Sequence, residues 1–200
     1  MTYVGTSEPL AGHPRIVISL LGELRVHGRA GPVAAPALSG RRVRAALAYL
    51  ATRPGQPIGR RELAFAIWAE LPPTWDPALR SALTGVRKVL RSAGLPDETL
   101  ATREGWVRLG LPHDAATDVQ VAESLTRGAE EAARLDEVGV AMDLGSRAAQ
   151  MLAIGLLPGI EAVWVDDLRS VALDLRIRAR RRRTRCRPAA SRVACGRSRS

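Results

Sequence analysis

The stretch Asp76–Arg91, DPALRSALTGVRKVLR, constrains this chain more than any other. Asp76 before Pro77 reads as an N-cap followed by proline at the first helical position, a strong helix start. At about 100° per residue, Leu79, Ala82, Leu83, Val86, Val89 and Leu90 fall within an arc of about 120°. Arg80, Arg87, Arg91 and Thr84 share a narrow stripe outside it, which Ser81 and Lys88 widen. A short helix with one buried face and a row of guanidiniums on the other has the chemistry to lie in a major groove. There arginine reads guanine edges, and lysine or arginine holds phosphates. A solvated amphipathic helix carries the same pattern, so the choice depends on what surrounds the stretch.

Charge bears on that choice only when it is counted along the chain. The formal net charge is +10 over 200 residues, but residues 1–112 carry 15 Lys plus Arg against 8 Asp plus Glu. Residues 113–175 carry 4 against 12, and residues 176–200 carry 11 Arg and no acid. The overall basicity therefore belongs to the tail and says nothing about DNA, whereas the excess of +7 in the first segment does.

In chain order, Met1–Arg15 is rich in Gly and Pro and reads as a loose arm. Ile16–Leu21 has strand length and composition. Gly22 follows, then the alternating Leu24, Arg25, Val26 and His27, a turn over Gly28–Gly31, and a third short strand over Val33–Ala37. Ser39 starts a helix in which Val43, Ala46, Leu47 and Leu50 recur at helical spacing. Arg41, Arg42 and Arg44 near its start oppose the macrodipole, which suits a phosphate or acidic partner or plain solvated surface. Pro54, Gly55 and Pro57 end it, and Ile58 is placed for a short bridge. Arg60–Glu70 reads as a second helix, capped by Gly59, with Leu63, Ile67 and Trp68 inward. Leu71–Trp75 is a proline-stiffened loop into the Asp76 helix. Beyond a turn at Gly94–Glu98, Leu100–Arg103 and Trp106–Leu109 read as two strands joined by Glu104 and Gly105. Helix, helix, basic helix and hairpin is the order of a winged helix. Arg103 and Arg108 would flank the tip of the wing, where they would touch a phosphate or a minor groove, or simply be ordinary surface.

With these elements in place the chain resembles a known family. LLGELRV, RAALAYLATRPGQPIGRRELAFAIW, ALRSALTGVRKVL and TREGWVRL are similar to the OmpR-type winged-helix domain of SARP-type transcriptional activators. The matching features are Leu21, Gly22, Leu24 and Val26, then Trp68, then Arg87 through Leu90, then Gly105, Trp106, Arg108 and Leu109. Past Pro112, Asp118–Arg134 and Glu137–Leu152 have helical periodicity. The segment holding Pro158, Gly159, Glu161, Trp164 and Val165 resembles the start of the bacterial transcriptional activation domain, a TPR-like helical array. The resemblance implies an α+β winged helix-turn-helix over 16–112 followed by an all-α TPR-like segment over 113–177; composition adds an arm over 1–15 and a disordered Arg-rich tail over 178–200. It also implies a sequence-specific DNA-binding regulator whose recognition helix reads direct repeats upstream of a promoter and which recruits RNA polymerase, with Glu70–Trp75 as the expected polymerase contact. The DNA-facing residues would be Arg80, Ser81, Thr84, Arg87, Lys88 and Arg91, with Arg103 and Arg108 acting from the wing. A homodimer on double-stranded DNA is a further partner this would allow.

Two departures stand out. Gly85 lies mid-helix where related chains often carry a basic residue, which costs about 1 kcal/mol of helix stability against Ala and removes a phosphate contact. Helical arrays of this kind bury their faces by stacking about three repeats, whereas this chain holds roughly one and a half, leaving Leu156, Trp164, Leu168 and Val171 without expected partners. The Arg, Ala, Ser and Pro text after Ile177 is what a frameshifted reading of a GC-rich coding sequence would give. It also suits a basic tail that binds nucleic acid nonspecifically.

Other classes fit less well. His13, His27 and His113 are scattered, Cys186 and Cys195 lie in the tail, and there is no Gly-rich phosphate loop, metal-ligand spacing or receiver domain. No enzyme activity, metal or cofactor is expected. The alternative function is a truncated interaction module, a decoy that pairs with full-length regulators through its helical segment. No apolar run has the length of a membrane span and the amino terminus lacks signal-peptide order, so the cytoplasm is the expected compartment.

Overall fold

The computed structural model describes residues 14–185. Both cysteines, most of the expected amino-terminal arm and the end of the Arg-rich tail lie outside the described residues. The chain opens with β1 (Ile16–Ser19) and β2 (Arg25–Gly28), antiparallel with Ile18 opposite Val26, followed by β3 (Gly31–Pro32). Period-two alternation buries Ile16, Ile18 and Val26 on one face. The third strand expected over Val33–Ala37 is not formed. The Val33 amide still donates to the Val26 carbonyl, but Pro36 cannot donate to a ladder and Ala35–Leu38 closes into a single 3-10 turn.

Helix α1 (Arg41–Thr52) starts from Gly40, one residue beyond the expected Ser39, and is buried all the way from Ala45 to Ala51. Such burial on every side marks it as the central helix of the fold. The short strand β4 (Ile58–Gly59) leads into α2 (Arg60–Ile67), which stops three residues before the expected Glu70 because Trp68 turns to extended backbone. Helix α3 (Trp75–Ser92) has Thr74 rather than Asp76 at its N-cap position, so Pro77 lies two residues further into the first turn than expected. The hairpin of β5 (Leu100–Arg103) and β6 (Trp106–Leu109) has the expected bounds, and Gly105 at its tip has the positive φ of 81° that the tight turn demands. Ile58 pairs with Val107, which ties β4 to the hairpin.

Strand β7 (Ala115–Thr117) then returns to the first sheet and lies parallel to β1, giving the order β3-β2-β1-β7. It falls just beyond the domain boundary expected at Pro112. Helix α4 (Asp118–Arg134) begins at a capping box made by Thr117 and Gln120. Helix α5 (Val138–Met151) packs against it, and α6 (Val163–Arg185) crosses both. Helix α6 continues beyond Ile177, so the first part of the expected disordered tail is helical. Arginine is a good helix former, and contacts on one side of α6 hold it down: Ala179 is buried beside Ala148 and Ala149, and Arg178 grips both oxygens of Glu130 at 2.9 and 3.0 Å.

The two halves share one hydrophobic core. Leu20 and Leu21 donate their amides to the Asp118 carboxylate at 2.8 and 2.9 Å, and the Leu157 amide donates to the Leu20 carbonyl. Trp164 stacks edge-on against Tyr49 of α1 at 5.1 Å and donates its indole N–H to the Ala66 carbonyl of α2. The guanidinium of Arg169 binds the carbonyls of Leu156 and Leu157 and so fixes the loop between α5 and α6. Leu156, Trp164 and Leu168 thus find their partners in the first half rather than in further repeats. Val171 alone of the four stays largely exposed, at 59%.

Candidate nucleic-acid interface

Helix α3 buries Leu79, Ala82, Leu83, Val86, Val89 and Leu90, the six residues of the expected arc. The opposite side is therefore turned outward: Arg80, Ser81, Thr84, Lys88 and Arg91 are exposed, and Arg87 is half-buried. Arg103 and Arg108 are exposed on the hairpin, the latter 5.9 Å from the Trp106 ring centroid. The structure brings the helix residues onto one surface and joins that surface to the wing. Arg87 of α3 donates to the Thr102 hydroxyl of β5 at 2.5 Å, and the Arg60 amide donates to the Gly105 carbonyl at the hairpin tip.

The cations of this surface are unequal. Arg80 pairs with Asp76 at 2.6 Å, and Asp76 also takes Arg60 at 2.5 Å, so one carboxylate links the starts of α2 and α3. The hydrogen bond from Arg60, more than the charge of Arg80, holds Asp76 below the usual carboxylate range. At the other end of α3, Asp97 binds Arg91 through Nε and Nη2, with its pKa lowered by that bond and the pKa of Arg91 raised by it. The Thr84 hydroxyl donates to the Arg80 carbonyl within the helix. Lys88 is left as the cation of α3 with no intramolecular partner among the described residues. It can supply a charge to a phosphate without first breaking a bond.

Gly85 is not a missing phosphate contact. It faces α1, and a methyl group at this position would lie 2.4 Å from Cγ2 of Val43. Its bare backbone lets the start of α1 approach α3 closely, and the exposed Arg41 and Arg42 come with it; Arg42 lies over the Trp68 ring at 5.4 Å. The sequence reading also missed Asp97 and Thr102 as partners of α3. Asp76 and Arg80 stand at the i,i+4 spacing of a helical ion pair, a signal that was present. Nothing local connects Arg91 with Asp97 or Arg87 with Thr102, since both contacts depend on how the hairpin folds back.

Among the described residues no group of His, Cys, Asp and Glu could hold a metal ion, and no helix is long and apolar enough to cross a membrane. No protein-family model matches the chain, and no curated protein does. Among solved structures, EmbR of Mycobacterium tuberculosis, determined in complex with a low-affinity phosphopeptide, has a similar fold. The TM-score is 0.77 at 23% sequence identity, over 90% of this chain. The chain spans 47% of the length of that EmbR chain.

Proposed function

We propose that this chain is a sequence-specific DNA-binding transcriptional regulator of the SARP type, with α3 as its recognition helix and the β5–β6 hairpin as its wing. The observation that carries this reading is the outward row of Arg80, Ser81, Thr84, Arg87, Lys88 and Arg91, tied to the wing through Arg87 and Thr102. The fold shared with EmbR supports it. In a major groove Ser81, Thr84 and Lys88 would approach base edges and phosphates, while Arg103 and Arg108 would reach a neighbouring phosphate or minor groove. The segment between α2 and α3, which includes the exposed Glu70, Pro73 and Thr74, is the surface offered to RNA polymerase by an activator bound at direct repeats. The helical half is read as the beginning of a TPR-like activation domain, and the working compartment is the cytoplasm.

The test is selection of duplexes from a randomised pool by the full chain, followed by affinity against salt for the selected and scrambled sequences. A preferred sequence with a negative salt slope is the expected result, and Lys88→Ala reduces that slope by about 1. Retention of every duplex alike, unchanged by Lys88→Ala, overturns the reading. A second reading, pairing with longer regulators through the helical half, draws on the exposure of Leu173 and Ile177 along α6. Charge reversal at Lys88 separates the two, abolishing duplex binding in the first case and leaving association intact in the second.

A further inference from the structure

Arg91 is gripped by a carboxylate from outside its own helix. Asp97 accepts from Nε at 3.0 Å and from Nη2 at 2.9 and 2.7 Å, in the fork geometry that a guanidinium also offers a phosphate. Asp97 opens the turn Asp97–Thr99 that feeds the wing, so it sits between the carboxyl-terminal end of α3 and the root of β5. Both side chains are more than half exposed, at 62% and 58%, and Arg91 belongs to the outward row of α3. A surface pair of this kind adds little to stability.

We infer that Asp97 is a built-in competitor of DNA: its carboxylate occupies Arg91 in the free protein and must be displaced by a backbone phosphate before Arg91 can bind a duplex. The inference rests on α3 being the DNA-facing helix. The bond to Arg91 keeps Asp97 ionised down to below the usual carboxylate range, so the competitor is charged whenever the protein meets DNA. Phosphate contacts carry no sequence information, so the competitor lowers affinity for every duplex by the same factor and leaves the preference set by Ser81 and Thr84 unchanged. The chain thereby spends less time on the nonspecific DNA that surrounds any target.

The experiment compares the full chain with Asp97→Asn, Glu98→Gln, Arg91→Ala and the double variant Arg91→Ala/Asp97→Asn, using random-sequence duplex DNA across a salt series. Glu98 is an exposed neighbour with no arginine partner among the described residues, and its variant changes net charge by the same amount. Asp97→Asn should tighten binding about fivefold in low salt and steepen the salt slope by about 1. Glu98→Gln should give less than about twofold, and Asp97→Asn should have no effect in the Arg91→Ala background. Equal effects of Asp97→Asn and Glu98→Gln, or an Asp97→Asn effect that survives without Arg91, overturn the inference in favour of bulk charge. An altered sequence preference in Asp97→Asn overturns it as well. If the wild-type chain binds duplex and Asp97→Asn matches it, the competitor alone falls. If neither retains duplex at any salt, the DNA-binding reading falls with it.

Discussion

At the scale of single residues, the buried carboxylate of Asp118 carries more structural consequence than any group on the surface. It stands at the first position of α4 and accepts the amides of Leu20 and Leu21, which leave β1 with no strand partner of their own at that point. Asp118→Ala leaves two buried donors unsatisfied and should cost about 3 kcal/mol in denaturant unfolding near neutral pH. The effect depends on pH with a definite sign. Burial pushes the Asp118 carboxyl above its ordinary 3.8, against the pull of the bonds from Leu20 and Leu21. The folded protein therefore holds this proton more tightly than the unfolded chain, and its contribution falls as pH rises from 3.8 through the raised value. Asp76 and Asp97 behave oppositely. Their pKa values are lowered by Arg60 and Arg91, so what they contribute is complete above 3.8 and lost as pH falls beneath it. The difference in unfolding free energy between wild type and Asp118→Ala should accordingly widen as pH is lowered from neutrality toward about 4. A difference that stays flat or narrows over that window would show that Asp118 is not the buried, upward-shifted acid described here.

At the scale of elements, close approach governs α3. Ala has about 1 kcal/mol more helix propensity than Gly, yet Gly85→Ala should lower stability by about 1 kcal/mol because its methyl meets Val43. Val43→Ala opens that space, so a double-mutant cycle read by thermal unfolding should show favourable coupling of about 1 kcal/mol or more. Additivity would mean that the contact with α1 is not what keeps glycine there. The wing gives a second element-scale test. Thr102→Val removes the hydroxyl that accepts from Arg87 without touching a charge, so duplex affinity should fall about threefold with stability altered by less than about 1 kcal/mol; unchanged affinity would detach the wing from the interface. What the sequence revealed follows the same division. The α3 arc, the hairpin and the limits of α4 were legible because each is written in neighbouring residues: a 3.6-residue period in the two helices and a Glu-Gly turn between alternating strands. Strand β7 was not, since Ala115–Thr117 is strand only through its pairing with β1. The role of Gly85 was misread for the same reason, because a helix period does not say which helix lies across it.

At the scale of the whole molecule, the helical half is anchored to the first half through one core. Counting repeats predicts an unsatisfied helical fragment, but that count assumes that helical arrays bury themselves only against their own kind. Here Trp164 sits between Tyr49 and the Ala66 carbonyl, and Asp118 and Leu157 fasten α4 and the α5–α6 loop to the end of β1. The first half supplies the surface against which the helices are buried, and α6 reaches from α1 at its start to Glu130 and Ala148 near its end. A shared core of this kind should make the chain unfold as one cooperative unit. Trp164→Ala tests this directly. The other tryptophans, Trp68, Trp75 and Trp106, all lie in the first half, so in this variant tryptophan fluorescence reports only that half, while far-UV circular dichroism also follows α4, α5 and α6. Removing a half-buried indole together with its bond to Ala66 should cost about 3 kcal/mol. If the core is continuous, the two signals should still share one midpoint, shifted down from wild type. Separate midpoints in the variant but not in wild type would identify Trp164 as the residue that makes the halves cooperate. Separate midpoints in both would show two independently stable halves that merely touch, and α3 would then owe its position to the first half alone.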